Sequence, residues 1–150
     1  MNFLTSFFKK RILKILNKSS IFRTLSEIAH NVDKLSMIKS YTHAKIHNDN
    51  YFYYDTLSNF KFGKNVSFGP YNIIMATKQK KTDKESTLTI GNNTSIGEQN
   101  NIRTGGANII IGDNCLISQQ VSIIASNHGI IKSELIKSQA WQPKDIKIGN

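Results

Sequence analysis

The sequence predicts an all-β fold, a parallel β-helix of about three coils preceded by an N-terminal α-helical segment. Three observations predict it. Ile90, Ile96 and Ile102 fall six residues apart, and Ile111, Ile117 and Ile123 repeat the interval. Gly91, Gly97 and Gly112 directly follow three of these isoleucines, while Thr94, Cys115 and Val121 stand four residues after theirs, where a small side chain is wanted. Ahead of residue 44 the apolar spacing is instead that of helices. An apolar residue at every sixth position fits neither an amphipathic helix nor an alternating strand. It fits a coil of about eighteen residues, built from three short strands and three tight corners. Each apolar side chain then points inward and stacks on its equivalent in the next coil, roughly 4.8 Å away. The neighbouring glycine is expected to allow the corner its tight geometry.

Residues 1–43 form the helical segment. Between residues 2 and 18, Leu4, Phe8, Ile12, Ile15 and Leu16 trace one side of a helix, extended by Phe3 and Phe7, and Lys10, Lys14 and Lys18 mark another. Such a helix has two readings. It lies on a membrane surface, where each basic residue adds about 1 kcal/mol of attraction to anionic lipid, or it packs on its own assembly. Lys9, Lys10 and Arg11 interrupt the apolar run and no small-residue cleavage site follows, which argues against a secretory signal. From residue 21 onward Ile21, Leu25, Ile28, Val32 and Leu35 alternate by four and three, as a coiled-coil seam does. A seam this short is marginal alone. It gains meaning if copies held together elsewhere bring it close, the alternative being a single helix packed on the solenoid.

Residues 44–150 form the β-helix domain. Ile46 and Phe52 start the beat, which is lost through Tyr53, Tyr54 and Asp55 and resumes at Phe62, Phe68 and Ile74. Residues 75–87 are too polar for an inward-facing strand and read as a loop thrown out at a corner. Gly105 and Gly106 mark a smaller bulge. A longer excursion, residues 129–145 with Trp141 and Pro143, separates Ile123 from Ile148, where the hexad restarts. The inward column is expected to hold Phe62, Phe68, Ile74, Ile90, Ile96, Ile102, Ile111, Ile117 and Ile123. No capping segment follows the last hexad, so the domain is expected to be incomplete at its C-terminus.

The formal charge of +10 is concentrated in two places. No acidic residue precedes Glu27, and Lys78, Lys80, Lys81 and Lys84 cluster in the polar loop. Nucleic acid is not the expected partner, because the loop lacks interleaved aromatics on which bases would stack. No run of eighteen apolar residues exists to span a membrane. The single cysteine, Cys115, fills a small-residue slot and cannot form an internal disulfide, which fits a cytoplasmic setting. If residues 2–18 bind lipid, the location is peripheral, at the inner face of the membrane.

The stretches Ile90-Gly91-Asn92-Asn93-Thr94-Ser95-Ile96-Gly97 and Ile111-Gly112-Asp113-Asn114-Cys115-Leu116-Ile117 resemble hexapeptide-repeat acyltransferases. The resemblance is closest to sugar and polysaccharide O-acetyltransferases of the maltose, galactoside and colanic-acid types, and covers about residues 60 to 150. It implies a left-handed β-helix, a homotrimer, and acetyl transfer from acetyl-CoA to a hydroxyl of a sugar or cell-surface polysaccharide precursor. It also implies a catalytic histidine seventeen residues after the isoleucine of the Ile-Gly-Asp-Asn motif, which from Ile111 is His128. Most of the acetyl-CoA site is expected beyond Asn150, so the chain by itself is expected to be weakly active.

The chemistry suits one histidine. The acceptor hydroxyl must lose its proton as its oxygen attacks the thioester, and imidazole does this well near neutral pH. Hydrogen-bond donors must meet the developing oxyanion. No covalent intermediate and no metal is required. His30, His43 and His47 precede the repeats and lack this context. Similar enzymes place an acceptor-binding asparagine at the position of Gly97, which glycine cannot replace. Asn127, Glu98, Asn101 and Arg103 are the candidate substrate-binding residues here. A zinc enzyme on the same fold would need three converging histidines, and only His128 lies in the repeats. A non-catalytic trimerising module, or an inactive remnant, is the alternative reading.

Overall fold

A computed structural model of the chain describes residues 20–78 and 86–149, with side chains from residue 23 onward. The amphipathic segment 2–18, the side chain of Ile21, and the lysines at 80, 81 and 84 lie outside the described residues. Two compact units divide the chain, residues 1–34 and 35–150. Helix α1 (Ser20–Thr42) crosses this division. In the first unit Leu25, Ile28 and Val32, three members of the heptad seam, are exposed. In the second, Leu35 and Ile38 are buried in the core of the strands. The division therefore falls ahead of residue 44, where the apolar spacing changes. Among the described residues, no helix is long and apolar enough to cross a membrane.

Twelve strands form three parallel sheets that the chain visits in rotation. The first sheet holds β1 (Lys45–Ile46), β4 (Ser67–Phe68), β7 (Ser95–Ile96) and β10 (Leu116–Ile117). The second holds β2 (Tyr51–Tyr54), β5 (Ile73–Ala76), β8 (Asn101–Arg103) and β11 (Ser122–Ile124). In the third, β3 (Phe60–Phe62), β6 (Leu88–Ile90) and β9 (Ile109–Ile111) are joined by β14 (Ile146–Ile148). The chain thus completes four circuits where the hexad count suggests about three. The added one is residues 45–62, in which a short 3-10 turn at Leu57–Asn59 lengthens the corner and hides the six-residue interval.

The registers align the expected column. Ile46, Phe68, Ile96 and Ile117 stack in the first sheet. Phe52, Ile74, Ile102 and Ile123 stack in the second, and Phe62, Ile90, Ile111 and Ile148 in the third. Of the nine residues expected inside, eight are buried and Phe62 is half-buried. The third sheet also turns Phe60, Leu88 and Ile109 inward, each at most 1% exposed. Burial of such side chains contributes about 1.5–3 kcal/mol each.

One local expectation needs correction and another is refined. Met75 and Ala76 belong to β5, and Ala76 is fully buried, so the polar excursion starts later than residue 75. The corner glycines do serve the tight geometry, but through close approach and not through a left-handed backbone. Left-handed backbone occurs two positions after each of them, at Asn65, Tyr71, Asn93, Gln99 and Asn114, with φ between 53° and 61°. The glycines are needed because the next circuit passes directly over them. A Cβ on Gly69 would lie 2.9 Å from the carbonyl oxygen of Gly97, and one on Gly97 would lie 2.8 Å from that of Ser118.

Candidate active site

The hexad beat breaks after β11, and the break builds the site. Ala125 turns the chain into β12 (Ser126–His128), which pairs antiparallel with β13 (Trp141–Pro143) before β14 rejoins the third sheet. The hairpin register sets Ser126 opposite Pro143, Asn127 opposite Gln142, and His128 opposite Trp141. Its base is tied to the circuits by the Lys144 N–H, which donates to the Ala125 carbonyl at 2.8 Å.

The excursion between these strands is organised by one amide. Gln139 is buried; its Oε1 accepts the Ile131 N–H, and its Nε2 donates to the carbonyls of Ile131 and Glu134, all at 2.9 Å. Gly129 closes the loop by donating its N–H to the Ala140 carbonyl at 3.1 Å. A Cβ at Gly129 would stand 2.6 Å from the Gln139 amide oxygen, so glycine leaves room for this arrangement.

His128 is exposed and forms a T-shaped ring pair with Trp141, at a centroid separation of 6.2 Å and an interplanar angle of 83°. Its backbone N–H donates to the Asn127 Oδ1 at 2.9 Å. The imidazole nitrogens have no hydrogen-bond partner among the described residues, which leaves both open to a ligand. Beside the histidine is a cavity of about 220 Å³ whose lining includes Met75, Arg103, Ser126, Asn127, His128 and Trp141. Gly105, with φ +55°, forms part of the wall; a side chain there would run into Ser126. A second hollow of about 590 Å³ shares Ile124, Ser126 and Asn127 with this cavity and extends to Gln142, Lys144 and Asp145.

The sequence candidates separate into two groups. Arg103, Asn127 and His128 line one cavity. Asn101 lies behind them and accepts the Arg103 Nε–H at 2.7 Å. Glu98 does not join them: it is exposed at the corner between β7 and β8, where its backbone carbonyl accepts the Gln120 N–H at 3.0 Å. Sequence reasoning placed Trp141 in the excursion without a role, and passed over Ser126 and Met75. The available signal was that Trp141 is the only tryptophan of the chain and sits in the loop that interrupts the repeat after His128.

Among the described residues, no three His, Cys, Asp or Glu side chains are grouped as a metal ion would require. No family model, curated protein or solved structure matches the chain.

Proposed function

We propose that the chain is a left-handed parallel β-helix that transfers an acetyl group from acetyl-CoA to a hydroxyl of a sugar or cell-surface polysaccharide precursor. The observation that carries this reading is the placing of His128. Its free imidazole borders a small cavity with an aromatic wall and polar groups, at the offset from the Ile111-Gly112-Asp113-Asn114 motif that the sequence resemblance implies. Pockets that bind small ligands typically combine apolar walls with a few placed polar groups.

In this reading the imidazole takes the hydroxyl proton as the acceptor oxygen bonds to the thioester carbonyl carbon. Collapse of the tetrahedral intermediate expels the thiolate of coenzyme A, which recovers the proton from the imidazolium. Asn127 and Ser126 supply hydrogen bonds to the acceptor. The acyl donor is a substrate, and no metal takes part.

The active species is proposed to be a homotrimer. The exposure of Leu25, Ile28 and Val32, at 59%, 54% and 60%, supports a seam that other copies cover. A cytoplasmic position, peripheral to the membrane where residues 2–18 engage lipid, belongs to the same proposal.

The test is thiol release from acetyl-CoA by the full-length protein over a panel of sugar acceptors. His128→Ala should lower turnover by about 10²–10⁴-fold without altering the mass of the assembly. Undiminished turnover in His128→Ala would remove the general-base role. A protein that assembles but acetylates nothing would be a trimerising module instead.

A further inference from the structure

Among the described residues, Arg103 is a cation in the cavity beside His128 with no anion to answer it. On the outer face of the second sheet, the strand register sets Arg103 between Met75 and Ile124. Both line the same cavity, as does Trp141, and among the described residues no Asp or Glu is part of its wall. Among the described residues, no carboxylate lies within ion-pair distance of Arg103. Its side-chain hydrogen bond among the described residues runs from Nε to the Asn101 Oδ1 at 2.7 Å. That bond fixes the plane of the guanidinium from behind and leaves the two terminal nitrogens for a ligand. A planar fork of donors in a partly apolar setting matches the geometry of a carboxylate or phosphate better than that of a neutral hydroxyl.

We infer that the cavity selects an anionic sugar, with Arg103 binding its carboxylate or phosphate, Asn101 positioning Arg103, and the Trp141 ring covering the sugar's apolar side. An uncharged sugar would have to leave the guanidinium unpaired beside Met75, Ile124 and Trp141, which costs binding energy. This inference rests on the acetyl-transfer reading only in calling the ligand an acceptor; the recognition itself needs no turnover.

Trp141 gives a direct readout, because it is the only tryptophan in the chain and lines the cavity. The full-length protein would be titrated with methyl glucuronide, with glucose 1-phosphate, and with methyl glucoside as the neutral match. The expected result is a saturable change in tryptophan emission with one or both anionic sugars, at a midpoint at least about tenfold below that of the glucoside. The carboxylate and phosphate arms identify which anion is preferred. Arg103→Gln should erase the difference between charged and neutral sugars, and Asn101→Ala should reduce it. His128→Ala should preserve it.

Equal responses to all three sugars, no response to any, or an anion preference that survives in Arg103→Gln would each overturn the inference. Arg103-dependent binding in a protein that transfers no acetyl group would overturn the acetyl-transfer reading alone. Because Arg103 faces outward, unaltered thermal melting of Arg103→Gln should accompany the loss.

Discussion

The side-chain Oδ1 of Asn72 accepts the backbone N–H of Asn100, one circuit further on, at 2.8 Å. The same bond joins Asn50 to Asn72 at 2.9 Å and Asn100 to Val121 at 2.7 Å. Meanwhile the Asn72 Nδ2 donates to the carbonyls of Gly69 and Gly97 at 2.9 and 2.8 Å. A buried ladder of amides thus stitches the corners between the first and second sheets, where adjacent circuits would otherwise leave backbone groups unpaired. Asn72→Ala removes one acceptor and two donors at a residue with no solvent exposure. Each buried group left unsatisfied costs about 1–3 kcal/mol. Denaturant unfolding should therefore show a loss of at least about 2 kcal/mol.

Gly97→Ala tests the close passage of circuits. The added methyl would lie 2.8 Å from the Ser118 carbonyl oxygen, a backbone atom that moves only if the circuit above it moves. The expected cost is about 1–3 kcal/mol, as for other overpacked sites. The left-handed region is not involved at Gly97 itself, so the loss reports packing and not backbone preference. A melting temperature equal to that of the unaltered protein would show that the circuits separate freely at this corner.

Much of this architecture could be read from the residues, and the parts that could not have physical reasons. Ile90, Ile96 and Ile102 declared the spacing because each is followed at a fixed distance by a small or turn-forming residue. The first circuit was legible only in part: Ile46 and Phe52 start the interval, and a longer corner before Phe62 breaks it. The amide ladder was missed because asparagine at a corner usually signals a turn in solvent; burial at Asn50, Asn72 and Asn100 depends on the circuit stacked above. Likewise, His128 could be picked out by its offset from Ile111. Its pairing with Trp141 could not, because a hairpin closed by a long excursion has a register set by tertiary contacts such as those of Gln139.

Gln139→Ala should loosen the excursion without unfolding the circuits. Three hydrogen bonds to Ile131 and Glu134 are lost together, all of them inside the loop. Amide exchange at Ile131 is expected to accelerate, and the proposed acetyl transfer to fall, because the loop holds Trp141 opposite His128. Global stability should change by less than it does for Asn72→Ala. Unchanged exchange at Ile131 would mean that the loop is ordered by other contacts.

Ile28→Asp combined with Val32→Asp tests the seam on α1. Both side chains are more than half exposed in the single chain and neither belongs to its buried core, so the substitutions leave that core intact. The helix itself should survive, since aspartate costs only about 0.7 kcal/mol or less relative to alanine at such positions. In a trimer, however, each altered copy would bring two carboxylates into an apolar seam, where three copies repel one another and are stripped of water. Sedimentation velocity should show the unaltered protein as a trimer at micromolar concentration and the double variant dissociating at that concentration. A monomer in the unaltered protein would remove the proposed assembly altogether. A double variant that stays trimeric would place the interface on the strands, where the outward-facing Tyr51, Tyr53 and Ile73 are the next surface to test.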